Sequence, residues 1–288
     1  MQIDKILFIT LSNIGDCILT LPVLDALREN FPRAKITVLV GPRPQEIFRE
    51  NPHINRLIIY DKHSRLKEKI KLFNELKNEH FDMVVDLRNS FLGAFLPAKY
   101  KASPFLIIPK ELKHMRQRHM SRVPIPSMGL EAVSFVRGGS LHIKPEDEEY
   151  IKNILQENNI TTEDKIIVIS SGARSHIKRW AQDKFVELIS SLIKEFGVKV
   201  VLTGDKDDAP ITKYITRHSA YPVVDLSAKT NIAQLSCLLK KSKLLITNDS
   251  ATLHLGSYLN IPVVAIFGPT NEIKYGPWSG ISSLAKKD

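Results

Sequence analysis

The chain has 288 residues, enough for one large or two medium α/β domains. Apolar residues make up 43% with only 7% aromatic, which suits an aliphatic α/β core, and no apolar run reaches the length of about 18 residues needed for a membrane span. The formal charge of +10 favours an anionic partner: nucleic acid, an acidic membrane surface or a phosphorylated substrate. Without zinc spacing, an RNA-binding signature or an aromatic-interleaved basic face, nucleic acid is the least supported of the three, and no nucleic-acid partner is expected.

The opening MQIDKILFIT lacks a basic region and its apolar run ends in Ser12 and Asn13. Residues 6–10 therefore predict a first strand, not a signal peptide. The turn Leu11 to Gly15 leads into a helix over 16–30, with Ile18, Leu21, Leu24 and Leu27 at a spacing of three; Pro22 inside it predicts a kink or a late start. Strands are predicted at 36–40, 57–60 and 83–87, with helices at 44–50 and 64–80 between them. Arg88, Asn89 and Ser90 follow the strand at 83–87. A helix then starts over 91–96, and a further strand lies at 105–108. Residues 110–122, KELKHMRQRHMSR, are strongly basic. They read either as a solvated helix face or mobile loop, or as a surface for anionic lipid headgroups or an acidic acceptor. Residues 123–126 extend the chain, and Gly138 and Gly139 mark a turn.

A helix over 146–158 opens a second series. Strands follow at 166–170, 199–202, 223–226, 244–246 and 263–267, with helices at 181–196, 209–218, 232–240 and from Ser250 through Tyr258. Cys17 and Cys237 fall in predicted helices far apart in sequence, which indicates buried thiols in a reducing compartment and gives no metal pattern. Two αβ series joined near residue 145 predict two Rossmann-like domains, 1–145 and 146–288, facing across a cleft. In such sheets ligands bind beyond the carboxyl ends of the strands.

Four strand ends carry candidate chemistry. The first turn, Leu11-Ser12-Asn13-Ile14-Gly15-Asp16, has one glycine and no G-x-G-x-x-G, which counts against a nicotinamide or flavin enzyme. Asp16 either complements the helix dipole or serves as a general base, ionised near neutral pH by the helix start. Lys178, ahead of a helix, is either a surface lysine or a point charge for a diphosphate leaving group. Trp180 reads as a packing residue. Asn248-Asp249-Ser250 follows a strand, and the amides of Ser250, Ala251 and Thr252 open a helix that can receive a phosphate; the plainer reading makes Asn248 or Asp249 an N-cap. His254 lies one turn further on and is either structural or turned toward that site.

These residues resemble glycosyltransferase family 9, the bacterial ADP-heptose:lipopolysaccharide heptosyltransferases and their relatives. The resemblance lies in Ile14-Gly15-Asp16 with Leu19-Thr20-Leu21-Pro22, in Asp82 with Asp86-Leu87-Arg88, and in Lys178-Arg179-Trp180. It continues through Asn248-Asp249-Ser250-Ala251-Thr252-Leu253-His254-Leu255 and Phe267-Gly268-Pro269-Thr270, and spans nearly the whole chain. It implies the GT-B fold, with the acceptor on the first domain and the donor nucleotide mainly on the second. It also implies an inverting transfer that needs no metal and no cofactor beyond the ADP-sugar donor, with Asp16 as the catalytic base. Lys178 and Asp249 then meet the donor phosphates, with Asn13, Gly15, Ser171, Arg174, Asn248, Ser250, Ala251, Thr252 and His254 completing the donor set. Arg88, Arg116 and Arg118 form the acceptor set. The partners implied are ADP-heptose or a similar nucleotide sugar, a lipid-anchored anionic oligosaccharide and an anionic membrane. The location implied is cytoplasmic, peripheral to the inner face of the cytoplasmic membrane. A same-fold transferase with another nucleotide sugar, and a non-catalytic relative that binds nucleotide sugar or lipid phosphate, are the alternatives. Asp205-Lys206-Asp207 has metal-motif spacing but reads as a solvated turn. Two departures stand out: Ala251 occupies a place where the family often has glycine, and the family usually continues beyond Gly276-Pro277-Trp278 into a further strand or helix.

Overall fold

The computed structural model describes residues 2–103, 105–124 and 139–286. The chain divides into two compact units, Met1–His142 and Ile143–Asp288.

The amino-terminal unit runs β1 (Lys5–Ile9), α1 (Ile14–Ile18), α2 (Leu21–Asn30), β2 (Lys35–Val40), α3 (Gln45–Phe48), β3 (Arg56–Ile59), α4 (Leu66–Asn78), β4 (Met83–Asp86), α5 (Phe91–Phe95), β5 (Tyr100–Lys101) and α6 (Met115–Met120). Its strands pair in parallel in the order β3-β2-β1-β4-β5. β1 and β2 are buried on both faces, as a sheet covered by helices on both sides requires. Leu7, Ile9, Leu39, Leu76, Phe81, Val84 and Leu96 form the core on one of those faces.

Three expectations change here. The helix expected over 16–30 starts earlier and is broken at Leu19 and Thr20. Pro22 then falls in the first turn of α2, where its missing N–H costs nothing. The break is stitched by hydroxyls: Thr20 Oγ1 donates to the Cys17 carbonyl at 2.6 Å and lies 2.7 Å from Thr10 Oγ1. The strand expected at 105–108 does not form: Tyr100 and Lys101 make the edge strand on β4, and Phe105 and Ile107 stand 88% and 89% exposed. The basic run is not uniform: residues 110–114 are turns with Lys110, Glu111 and Lys113 exposed, while Met115–Met120 fold as α6, which packs against α2 and buries His119 and Met120. Residues 125, 126 and 138 of the expected extension and turn lie outside the described residues.

The carboxyl-terminal unit runs α7 (Pro145–Glu157), β6 (Ile166–Ser170), a 3-10 turn (His176–Lys178), α8 (Gln182–Phe196), β7 (Lys199–Thr203), α9 (Ala209–His218), β8 (Val224–Asp225) and α10 (Ile232–Lys241). It continues with β9 (Leu244–Asn248), α11 (Ala251–Tyr258), β10 (Val263–Phe267), α12 (Glu272–Tyr275) and β11 (Ser282–Lys286). All pairs are parallel, in the order β11-β10-β9-β6-β7-β8. Ile169, Phe185, Ile189, Leu202 and Ile246 anchor its core, and full burial of a side chain such as Phe185 contributes about 1.5–3 kcal/mol. α8 ends at Gly197, whose φ of 60° is the left-handed conformation that closes a helix. β11, which the low apolar content of its sequence had not announced, pairs with β10 and exposes all five residues. Among the described residues, no helix is long and apolar enough to cross a membrane.

Both sheets reverse direction of build at one point. The chain leaves β1 toward β2 and β3, then returns to β4 on β1's other side; β6, β7, β8 and β9 repeat this. Such a switch point opens a crevice at the carboxyl ends of the two central strands. It places residues 10–16 beside 86–90 in one unit, and 170–178 beside 248–252 in the other.

Candidate active site

At the amino-terminal switch point Asp16 stands in the first turn of α1, half-buried, and its Oδ2 accepts from Asn13 Nδ2 at 2.9 Å. Asn13 is exposed and Gly15 half-buried just ahead of it. Beneath them Cys17 is sealed: its Sγ donates to the Leu11 carbonyl at 3.1 Å, and burial pushes its thiol up to about 12. It is a brace for the turn, not a nucleophile. The charges of Asp16 and Arg88 act on that thiol in opposite senses, Asp16 raising its pKa and Arg88 lowering it. Arg88 follows β4, with its guanidinium carbon 5.3 Å from the centre of the Tyr60 ring. Asp86 shapes its turn by accepting from Arg88 N at 2.9 Å, Ser90 N at 2.7 Å and Ser90 Oγ at 2.8 Å.

Asp82, grouped with Asp86 on sequence, sits at the other end of β4. Its Oδ2 accepts from the amides of Asp4 and Lys5, both at 2.9 Å, so it ties strands together away from the switch point. Arg116 and Arg118 lie on α6 and are half-buried. Arg118 Nη1 donates to the Leu112 carbonyl at 3.3 Å, and burial lowers the pKa of Arg116. Of the three arginines proposed for the acceptor, Arg88 follows β4, at the sheet end that carries the turn of Asp16, whereas Arg116 and Arg118 lie on α6.

The carboxyl-terminal switch point is more tightly built. Asn248 is fully buried: its Nδ2 donates to the Ser171 carbonyl at 2.7 Å and the Gly172 carbonyl at 3.5 Å, while Oδ1 accepts from Trp180 N at 3.1 Å. Its amide joins three backbone groups and so positions the two loops, the one after β6 and the one that carries Trp180. Asp249 is also buried, its side chain 4% exposed, and its Oδ2 holds Lys178 Nζ at 2.7 Å. Ser250 is the N-cap of α11 and gives no side-chain cap bond. Its Oγ lies 3.2 Å from Thr247 Oγ1. The expected capping by Asn248 or Asp249 is absent for the same reason: both side chains are turned to the loop after β6. Ala251 is the first helical residue, so its φ is negative and a Cβ is accommodated. Thr252 Oγ1 accepts from Ser170 Oγ at 3.2 Å. Ser171 Oγ is buried with no hydrogen-bond partner, beside these groups. Arg174 is exposed. His254 is buried and stacks on Trp278, ring centres 5.7 Å apart, so it packs the helix against the Gly-Pro-Trp element. Trp180 packs edge-on against Phe185 at 5.0 Å.

The sequence reading missed a carboxylate. Asp208 lies against Gly172 and Gly204, where a Cβ at either position would overlap it. It faces Arg179 at 3.8 Å, and Arg179 Nε donates to the Ala173 carbonyl at 2.8 Å. Burial raises the Asp208 pKa. The neighbouring Asp205 accepts from the amides of Asp207 at 2.9 Å and Asp208 at 3.2 Å and so closes its own turn. Gly268 also matters: a Cβ there would lie 3.0 Å from the Ile177 carbonyl, in the turn that carries Lys178. A glycine at each close approach was visible in the sequence; the partner was not.

The arrangement offers a carboxylate at one switch point, and an oriented ammonium with uncapped helix amides at the other. Residues 139–283 match the model of glycosyltransferase family 9 (heptosyltransferase). Lipopolysaccharide heptosyltransferase 3 of Escherichia coli (strain K12) is 30% identical over 285 residues, which cover 92% of this chain and 83% of that protein. Among solved structures, the glycosyl transferase family 9 from Veillonella parvula DSM 2008 matches with a TM-score of 0.82 at 24% identity, over 100% of this chain and 87% of that one. E. coli ADP-heptose lps heptosyltransferase II matches with a TM-score of 0.77 at 24% identity, over 98% and 90%. The structural likenesses carry the GT-B fold; the sequence matches, across half of the chain and most of it respectively, carry kinship. The protein is a glycosyltransferase and belongs to glycosyltransferase family 9.

Proposed function

We propose that the protein moves a heptose from an ADP-linked donor to a lipid-anchored lipopolysaccharide core, with inversion at the anomeric carbon and without a metal ion. The observation that carries this reading is the Lys178–Asp249 pair at 2.7 Å beside the uncapped start of α11 and the unpartnered Ser171 hydroxyl. A diphosphate suits that place. The helix amides point outward with partial positive charge, and Lys178 is aimed by a buried carboxylate. Asp249 neutralises part of the lysine, so the amides must share the load; Asp249 acts through Lys178 and not on the sugar.

In the reaction, the acceptor hydroxyl gives its proton to the Asp16 carboxylate as its oxygen bonds the anomeric carbon. The bond from that carbon to the diphosphate oxygen breaks, and the electron pair leaves with ADP. Negative charge grows on the departing oxygen, where Lys178 and the α11 amides stabilise it more than they do the ground state. Arg88, which follows β4, binds an anionic group of the acceptor, which is held at the inner face of the cytoplasmic membrane. The names of the relatives, which include a lipopolysaccharide core heptosyltransferase and an ADP-heptose lps heptosyltransferase, support this donor and acceptor.

The test pairs binding with turnover. ADP, and not UDP or GDP, should raise the melting temperature, because a ligand of the native state stabilises it by mass action. Transfer from ADP-heptose to a core acceptor should survive a chelator and yield the inverted anomer by NMR. Stabilisation by UDP alone, or transfer stopped by chelation, would overturn this reading.

A further inference from the structure

We propose that Phe105-Leu106-Ile107 is a lipid-inserting tip that seats the amino-terminal unit on an anionic membrane surface. This rests on the reading above only for its purpose, the capture of a lipid-anchored acceptor; the physical case is independent. Phe105 and Ile107 are 88% and 89% exposed, and Leu106 joins them. Side chains of this size in an unbroken run are ordinarily covered. The run is not a frayed strand. Leu106 N donates to the Ser103 carbonyl at 3.0 Å and Phe105 N to Ser103 Oγ at 3.2 Å, so a closed turn holds the tip outward. The ammonium of Lys101 donates to the carbonyls of Ala94 at 2.8 Å and Leu96 at 3.0 Å, which ties in the end of α5 and its exposed Phe95.

The surroundings select the partner. Glu111 is the only acidic residue in the sequence between Leu87 and Pro124, while Lys99, Lys101, Lys110 and Lys113 are all exposed. Lysine is depleted where protein meets protein. An apolar tip flanked in sequence by exposed lysines matches a bilayer interface instead: the rings and branched chains enter the acyl boundary, and the ammonium groups of Lys110 and Lys113 stay among anionic headgroups. Each lysine near such a surface strengthens binding about fivefold. The tip also lies where seating would be useful. Ser103 lines a shallow recess with Asp86, Ser90, Gly93 and Arg122, at the carboxyl end of β4, the sheet end that carries Asp16.

Flotation of the full chain with vesicles of phosphatidylcholine, alone and mixed with phosphatidylglycerol, tests the tip. The wild type should float with the anionic vesicles and hardly with the neutral ones. The double variant Phe105→Ser/Ile107→Ser should bind about tenfold more weakly for each side chain lost, with an unchanged melting temperature. It should also turn over a deacylated, water-soluble acceptor at the wild-type rate. Lys110→Gln/Lys113→Gln should erase the preference for phosphatidylglycerol. The proposal is overturned by equal flotation of wild type and double variant, or by a wild type that does not float. It is equally overturned by a lower melting temperature of the double variant, which would show the side chains packed on protein. A wild-type oligomer in light scattering that the double variant loses would assign the tip to a second copy of the chain and overturn it too. A wild type inert toward the water-soluble acceptor, yet floating, would defeat the transferase reading and leave the tip standing.

Discussion

The two switch points share one topology and differ in how their side chains are held. In the carboxyl-terminal unit, Asn248 and Asp249 are buried and satisfied, and between them they fix Ser171, Gly172, Lys178 and Trp180. In the amino-terminal unit, Asp16 is half-buried and has a bond of 2.9 Å to an exposed asparagine. The first is a prebuilt cradle, in which dipoles and charge are set before anything binds. The second is a carboxylate left accessible, as a proton acceptor must be. On the proposed reaction, preorganisation would serve the leaving group, and exposure the incoming hydroxyl.

Substitutions can break this contrast at either side. Asp16→Asn should have the largest effect, lowering kcat by about 10²–10⁴, while ADP affinity measured by calorimetry stays near that of the wild type. Lys178→Ala should lower kcat by about 10²–10³, as for loss of one charge-stabilising donor. It also leaves the Asp249 carboxylate buried without its cation. With a third of the lysine exposed, that costs about 1–3 kcal/mol after screening. Adding Asp249→Asn should restore the stability and not the turnover, and chemical denaturation with steady-state kinetics separates the two. Asn248→Ala comes next. It strands two carbonyls and the Trp180 N–H, at a cost of about 2–3 kcal/mol, with a raised KM for donor and a kcat that falls less than with Lys178→Ala.

The smallest effect at neutral pH is an acid response. His119 is 4% exposed, and burial first, then Arg122 and its neighbours, pushes its pKa from 6.5 down to about 4. The unfolded chain binds this proton more readily, so His119 contributes nothing adverse above pH 6.5 and progressively destabilises as pH falls toward 4, by roughly 3 kcal/mol. Asp208 has the opposite sign. Its raised pKa means that its contribution is greater in acid and is lost as pH rises through the folded value. Denaturation at a series of pH values should show the acid loss removed by His119→Leu, and the acid gain removed by Asp208→Asn.

Periodicity and the apolar runs made most of the fold legible, because strands such as β1, β2, β6 and β10 are buried and read as near-continuous apolar runs rich in Val, Ile and Leu. The break at Leu19 and Thr20 was not, since the spacing of Ile18, Leu21, Leu24 and Leu27 runs straight through it and the cause is a hydroxyl contact with Thr10. The run 105–108 misled because apolarity alone does not make a strand: Tyr100 and Lys101 pair with β4, and the chain then turns at Ser103 into the exposed run. At the site, residue types were legible and pairings were not. Asn248 meets a carbonyl 77 positions earlier, and Asp208 fits against Gly172. No local pattern encodes such distances, whereas a helix start or a strand end is written within a few residues.

At Gly268 there is space for a hydrogen and none to spare for a methyl group before the Ile177 carbonyl. A side chain at residue 268 would therefore press on the turn that carries Lys178 and disturb the ammonium that Asp249 aims.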